Sequence, residues 1–201
     1  MELLGYPPLF QALYGDRTVM YRLISFFLTA AIALVATVVL AQSPETARGS
    51  QILAPYKKGL KEALQSGLSR GLVEAIQACQ IQAPKIAESL SQDGIRVGRT
   101  SHRLRNPANT PPYWVEPILA EYVVSISDRE PRSVSLSRER LGYVEPIIVQ
   151  PQCLACHGEL LNEDISMQIN KLYPQDRAVG FRAGEIRGVF WTEYPVEKVA
   201  K

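Results

Sequence analysis

Cys153-Leu154-Ala155-Cys156-His157 constrains this chain more than any other stretch. At that spacing two thiols a helical turn apart can add to the two vinyl groups of haem, and the adjacent imidazole can bind the iron. Residues 152–158 accordingly read as a short helical turn emerging from a strand. The competing chemistries match less well. A redox dithiol needs only Cys-x-x-Cys and gives no reason for the following His. A zinc site needs a second pair of Cys or His ligands at similar spacing, and a chain with 3 Cys and 2 His has none. A chance match is the remaining alternative.

A second feature agrees with haem attachment, which takes place outside the cytoplasm. Residues 23–40 read LISFFLTAAIALVATVVL, apolar with only Ser and Thr interruptions, with Arg22 before them and Val39-Leu40-Ala41 as a signal-peptidase site. Cleavage is the expectation. The alternative is an uncleaved membrane anchor, since eighteen helical residues span about 27 Å against a hydrocarbon core of about 30 Å. Either way the haem domain is expected in the periplasm or the thylakoid lumen. Met20 followed by Tyr21-Arg22 reads as a normal start, so residues 1–19 are expected to be an upstream extension.

The 22 basic and 20 acidic residues nearly cancel, which gives no case for nucleic acid or an anionic membrane surface. The expected partner is a redox or signalling protein, with membrane contact only through an uncleaved leader. An odd cysteine count leaves Cys79 without a disulfide partner if Cys153 and Cys156 carry thioethers.

Residues 1–41 are thus a leader, 42–54 a polar linker and 55–201 one domain. A long helical pattern covers residues 55–82, with Leu60, Leu64, Leu68, Val73, Ile76 and Cys79 near one face. Gly67 and Gly71 weaken it and suggest close packing or a bend, and Pro84 is expected to kink or restart it. Residues 95–104 read as a strand and 114–125 as a helix, with Trp114, Ile118, Tyr122 and Val123 inside. Residues 133–137 and 143–149 read as a hairpin, 163–171 as a helix and 188–194 as a closing strand. The order is that of an α+β domain with an antiparallel sheet.

A small helical cytochrome c carries its haem motif near the N-terminus; here it arrives after most of the fold. Three residues other than lysine stand as candidates for the sixth iron ligand. Met167 lies ten residues past His157 on an expected helix and reads better as a packing residue. His102, among Arg99, Arg103 and Arg105, reads as solvated or propionate-facing. Cys79 lies on the apolar stripe of the long helix, and stands open between an inert buried thiol and a thiolate ligand.

Four motifs, in order, resemble one family: Ile95-Arg96-Val97-Gly98-Arg99-Thr100-Ser101 running into Arg103-Leu104-Arg105-Asn106-Pro107; Cys153-Leu154-Ala155-Cys156-His157-Gly158; Tyr173-Pro174-Gln175-Asp176-Arg177-Ala178-Val179-Gly180-Phe181; and Arg187-Gly188-Val189-Phe190-Trp191. This is the PAS-like c-type haem domain, once catalogued only as a domain of unknown function. It occurs as an exported cyanobacterial protein and as the sensing part of some bacterial histidine kinases. The resemblance covers residues 60–195. It implies a PAS-like sheet with a long N-terminal helix, one covalent haem, thioethers at Cys153 and Cys156, and His157 and Cys79 as the axial iron ligands.

Among the arginines, one or two of Arg96, Arg99, Arg103 and Arg105 are expected to clamp the haem propionates, Arg99 and Arg103 foremost. Asp176 reads as the cap of a turn. Trp191, Phe190 and Phe181 read as sheet core or haem wall. Two functions follow from a low-potential His/Cys iron: a redox or small-ligand sensor, or an electron carrier. An enzyme such as a peroxidase ranks behind them, because two protein ligands leave no open iron site unless one departs.

Overall fold

The computed structural model describes residues 43–197, residue 126 excepted. The apolar segment expected as signal peptide or anchor lies outside the described residues. Among those described, no helix is long and apolar enough to cross a membrane.

Helix α1 spans Pro44–Leu68. The Ser43 side chain accepts the Thr46 N–H, and Pro44 takes a first-turn position where its missing N–H leaves nothing unpaired. Residues 44–54, expected as a polar linker, are the start of this helix. They are helical because Gly49 and Leu53 are buried, as is the following Tyr56, while the polar residues form the outer face.

The pattern expected as a single helix over 55–82 is broken in two. Gly71 adopts φ 143°, and α2 (Leu72–Leu90) folds back antiparallel along α1. Gly67 allows this: a Cβ there would stand 2.5 Å from Cα of Ala75. A straight rod would have left its apolar stripe unburied, whereas the hairpin packs it against the sheet. Even so, Leu64 and Leu68 of the expected stripe remain 39% and 43% exposed. Pro84 lies within α2 without ending it.

Among the described residues four antiparallel strands, β1 (Arg96–Thr100), β2 (Arg132–Ser137), β3 (Arg140–Ile148) and β4 (Ile186–Pro195), pair in the order β1-β4-β3-β2. The expected hairpin is β2–β3, and the closing strand sits in the middle of the sheet. β1 is shorter than expected. The α+β class with an antiparallel sheet is as read from the sequence.

One sheet face is covered by α3 (Val115–Val124), which buries Val115, Ile118, Leu119 and Tyr122, together with Trp114, on Val144, Val189 and Trp191. Val123, assigned to that inner face, is instead 38% exposed, and Leu119 takes its place. Trp114 satisfies its indole N–H on Glu193 Oε1 at 2.7 Å. The other face holds α1 and α2, through Leu53, Tyr56, Leu60 and Ala83 against Val97, Leu141, Tyr143 and Tyr194. Each such fully buried large apolar side chain contributes on the order of 2 kcal/mol. Beyond β3, a 3-10 turn (Pro151–Cys153) leads into α4 (Leu154–His157) and then α5 (Glu163–Leu172), capped by Asn162.

Candidate functional site

The turn that carries Cys153, Cys156 and His157 is laced to a later segment. Phe181 donates its N–H to the His157 carbonyl at 2.9 Å, and Gly180 donates to the Gly158 carbonyl at 2.9 Å. Cys153 packs on Val149, Ala178 and Phe181, whereas Cys156 packs on a separate cluster of Ile76, Ile165, Ile169 and Tyr173. The two thiols of the motif therefore anchor into two different parts of the core.

His157 has a defined tautomer. Its Nδ1 lies 2.7 Å from the Ala178 carbonyl oxygen, which can only accept, so Nδ1 carries the proton and Nε2 keeps its lone pair. Burial, then the charges of Arg187 and Arg105, push its pKa down to about 2, so the ring is neutral in the folded protein. Fixing the far nitrogen on a carbonyl is how proteins orient an imidazole that binds metal through the other.

Asp176 holds that carbonyl in place. Its Oδ1 accepts the Ala178 N–H at 2.8 Å, the turn cap expected from the sequence. Its Oδ2 also accepts from Arg105 Nη2 at 3.1 Å, and the same nitrogen donates to the Cys156 carbonyl at 2.6 Å. Arg105, expected from its sequence among the propionate partners, is also the strut between the motif turn and the segment of residues 176–178.

Cys79 stands on α2, half-buried and outside any disulfide, as are Cys153 and Cys156. Burial pushes up the pKa of the Cys156 thiol, with Arg105 opposing and Cys79 adding to the rise. Tyr173 is likewise raised by burial and then by Cys79. Cys79 lies one helical turn after Ile76, which packs with Cys156 and Tyr173. Met167 is 57% exposed on α5 rather than packed in the protein core as expected. The half-exposed His102 ring meets Phe181 edge-on at 5.7 Å, and Phe181 meets His157 at 6.3 Å.

The arginines divide. Arg96 pairs with Glu193. Arg103 donates to the carbonyls of Val179 at 2.9 Å and Gly180 at 3.1 Å, pairs with Glu185 at 3.3 Å, and stacks 3.6 Å over Phe181. Its fork is therefore committed to protein groups. Arg99 makes no side-chain hydrogen bond or ion pair among the described residues, and Arg105 Nε is buried without a partner. Arg187, which sequence reading did not single out as a site residue, lies 5.1 Å from the Phe181 ring centre and bears on the same imidazole.

This donor set fits a covalently held haem: two thiols and a neutral imidazole with a free Nε2 on one turn, a third thiol from α2, and an orphaned buried guanidinium N–H beside them. It does not fit a bare ion. Among the described residues no group of three or more His, Cys, Asp or Glu could hold a metal ion.

A family model described as Tll0287-like matches residues 27–195. Among solved structures, the cyanobacterial heme-protein Tll0287 superposes with a TM-score of 0.58 at 23% identity, covering 80% of this chain and 100% of that one. That likeness is one of fold. No curated protein matches.

Proposed function

This chain belongs to the Tll0287-like family, and from that premise we propose that it is a c-type haem protein of low potential that acts as a redox or small-ligand sensor outside the cytoplasm. Cys153 and Cys156 would hold the haem by thioethers, and His157 Nε2 and the Cys79 thiolate would bind its iron. The observation that carries the reading is the Nδ1 contact of His157 with the Ala178 carbonyl at 2.7 Å, which leaves Nε2 unprotonated one residue after a Cys-x-x-Cys. The name of the structural relative, a cyanobacterial heme-protein, supports it.

Haem held there would supply one-electron chemistry and small-ligand binding. The protein groups divide the remaining work. Ala178 and Asp176 orient His157. Arg105 ties the motif turn to that support. Cys79 belongs to α2, a different element from the motif, and Gln80 beside it holds the Leu172 carbonyl at 3.2 Å. A ligand shared between two elements makes their packing depend on the ligand bond, and that dependence favours a sensor.

Attachment is tested by maturing the protein in a host with c-type assembly machinery. Haem should stay with the polypeptide through acid-acetone extraction and denaturing electrophoresis, and Cys153→Ser/Cys156→Ser should release it. Haem that washes out completely from the wild-type protein would sink the proposal.

A further inference from the structure

We infer that Arg187, together with Arg99, forms the anion site that receives the two propionates of the haem; this rests on the haem reading above and deepens it.

The placement comes from a fault in the sheet. Gly188 pairs with Ile147 and Ile186 with Ile148, so Arg187 is an extra residue in β4. A bulge of this kind re-aims a side chain. Ile186 and Val189 both enter the cluster beneath α3, while Arg187 turns toward Phe181 instead. The bulge is pinned. A Cβ on Gly188 would stand 2.0 Å from the Thr100 carbonyl oxygen, and Ser101 Oγ donates to the Arg187 carbonyl at 2.6 Å.

The charges around it do not balance. Arg103 pairs with Glu185 and Arg105 with Asp176. Arg99 and Arg187 are left with no ion pair among the described residues, and Arg187 donates only to the Arg103 carbonyl, at 3.3 Å. Burial and then the neighbouring charge of Arg99 pull the Arg187 pKa down to about 9. Holding two half-buried like charges near each other without an anion is unfavourable, and the guanidinium fork is shaped to meet a carboxylate. The surplus is two positive charges, and haem carries two propionates. Arg187 and the His157 ring both approach Phe181, at 5.1 Å and 6.3 Å, so the guanidinium stands on the side of the imidazole that would hold the haem. Arg103, the residue expected for this task beside Arg99, already has partners for its donors.

The test uses thioether-loaded holoprotein, with haem content checked by mass. A guanidinium beside the propionates favours the more negative ferrous state, so Arg187→Met should lower the midpoint potential. The ferric-to-ferrous ratio at fixed potential should rise at least about tenfold, equivalent to about 59 mV for one electron. Arg99→Met should act in the same direction, and Arg187→Lys should recover most of the loss by keeping the charge. Propionate bending bands in the resonance Raman spectrum should move in Arg187→Met. Arg182→Met, at a guanidinium 74% exposed on the surface, should move neither. Wild-type protein that carries no haem would overturn the haem reading itself. Fully loaded Arg187→Met with an unmoved potential and unmoved propionate bands would overturn this inference alone.

Discussion

Arg105 and Asp176 form an enclosed ion pair at 3.1 Å, their side chains only 13% and 5% exposed, and between them they fix the turn bearing Cys156 and the carbonyl that orients His157. Removing one partner strands the other's charge. Asp176→Asn keeps an oxygen for the Ala178 N–H but loses the countercharge amid several arginines. It should cost about 3 kcal/mol, the range for breaking a buried pair, read as a lower urea midpoint. A loss below about 0.5 kcal/mol would mean the pair behaves as a surface bridge.

Gly188 and Gly184 offer a matched comparison. Both have positive φ, 157° and 86°, but only Gly188 is crowded, since nothing lies within 4 Å of a Cβ at Gly184. Gly184→Ala should cost about 1 kcal/mol, the backbone term alone. Gly188→Ala should cost more than about 2 kcal/mol because Thr100 or the bulge must shift. Equal costs in thermal unfolding would show that the bulge accommodates a side chain.

Cys79 sets the potential if its thiolate binds the iron. Anionic sulfur favours ferric over ferrous, and a thioether does the reverse. Cys79→Met should raise the midpoint potential, and Cys79→Ala should change both the potential and the ferric absorption spectrum. Wild-type potential and spectrum retained in Cys79→Ala would exclude this ligand.

A sensor requires Cys79 to let go. Reduced protein should bind carbon monoxide while ferric protein does not, and hydrogen exchange of α2 (Leu72–Leu90) should quicken on reduction. If reduced protein excludes carbon monoxide and α2 exchanges alike in both states, the electron-carrier function replaces the sensor.

His102 gives a pH signature. Partial burial, then the charges of Arg103 and Arg187, hold its pKa below the usual 6.5. The unfolded chain therefore takes the proton first. The stability this group contributes is complete above 6.5 and declines as pH falls from there to the lower folded value. Urea midpoints should drop as the medium is acidified through that window, and His102→Gln should flatten part of the drop. An identical slope in wild type and variant would remove His102 from the linkage.

The residues by themselves determined what is local. A Cys-x-x-Cys-His is five consecutive positions, and it folds as the short turn its spacing demands. The β2–β3 hairpin, α3, α5 and the central β4 follow from alternation, helical period and turn residues within each segment, and so does the Asp176 cap, which spans only two residues. Tertiary packing decided the rest. Residues 44–54 look like a linker until the Tyr143 ring is present to press on Gly49. The expected helix over residues 55–82 breaks because α2 gains more by lying on α1 and the sheet than by extending. Met167 faces outward although nothing in its own helix forbids burial. Arg187 carries no local mark at all: its direction is set by a one-residue slip between β3 and β4, and strand register exists only once the strands have paired.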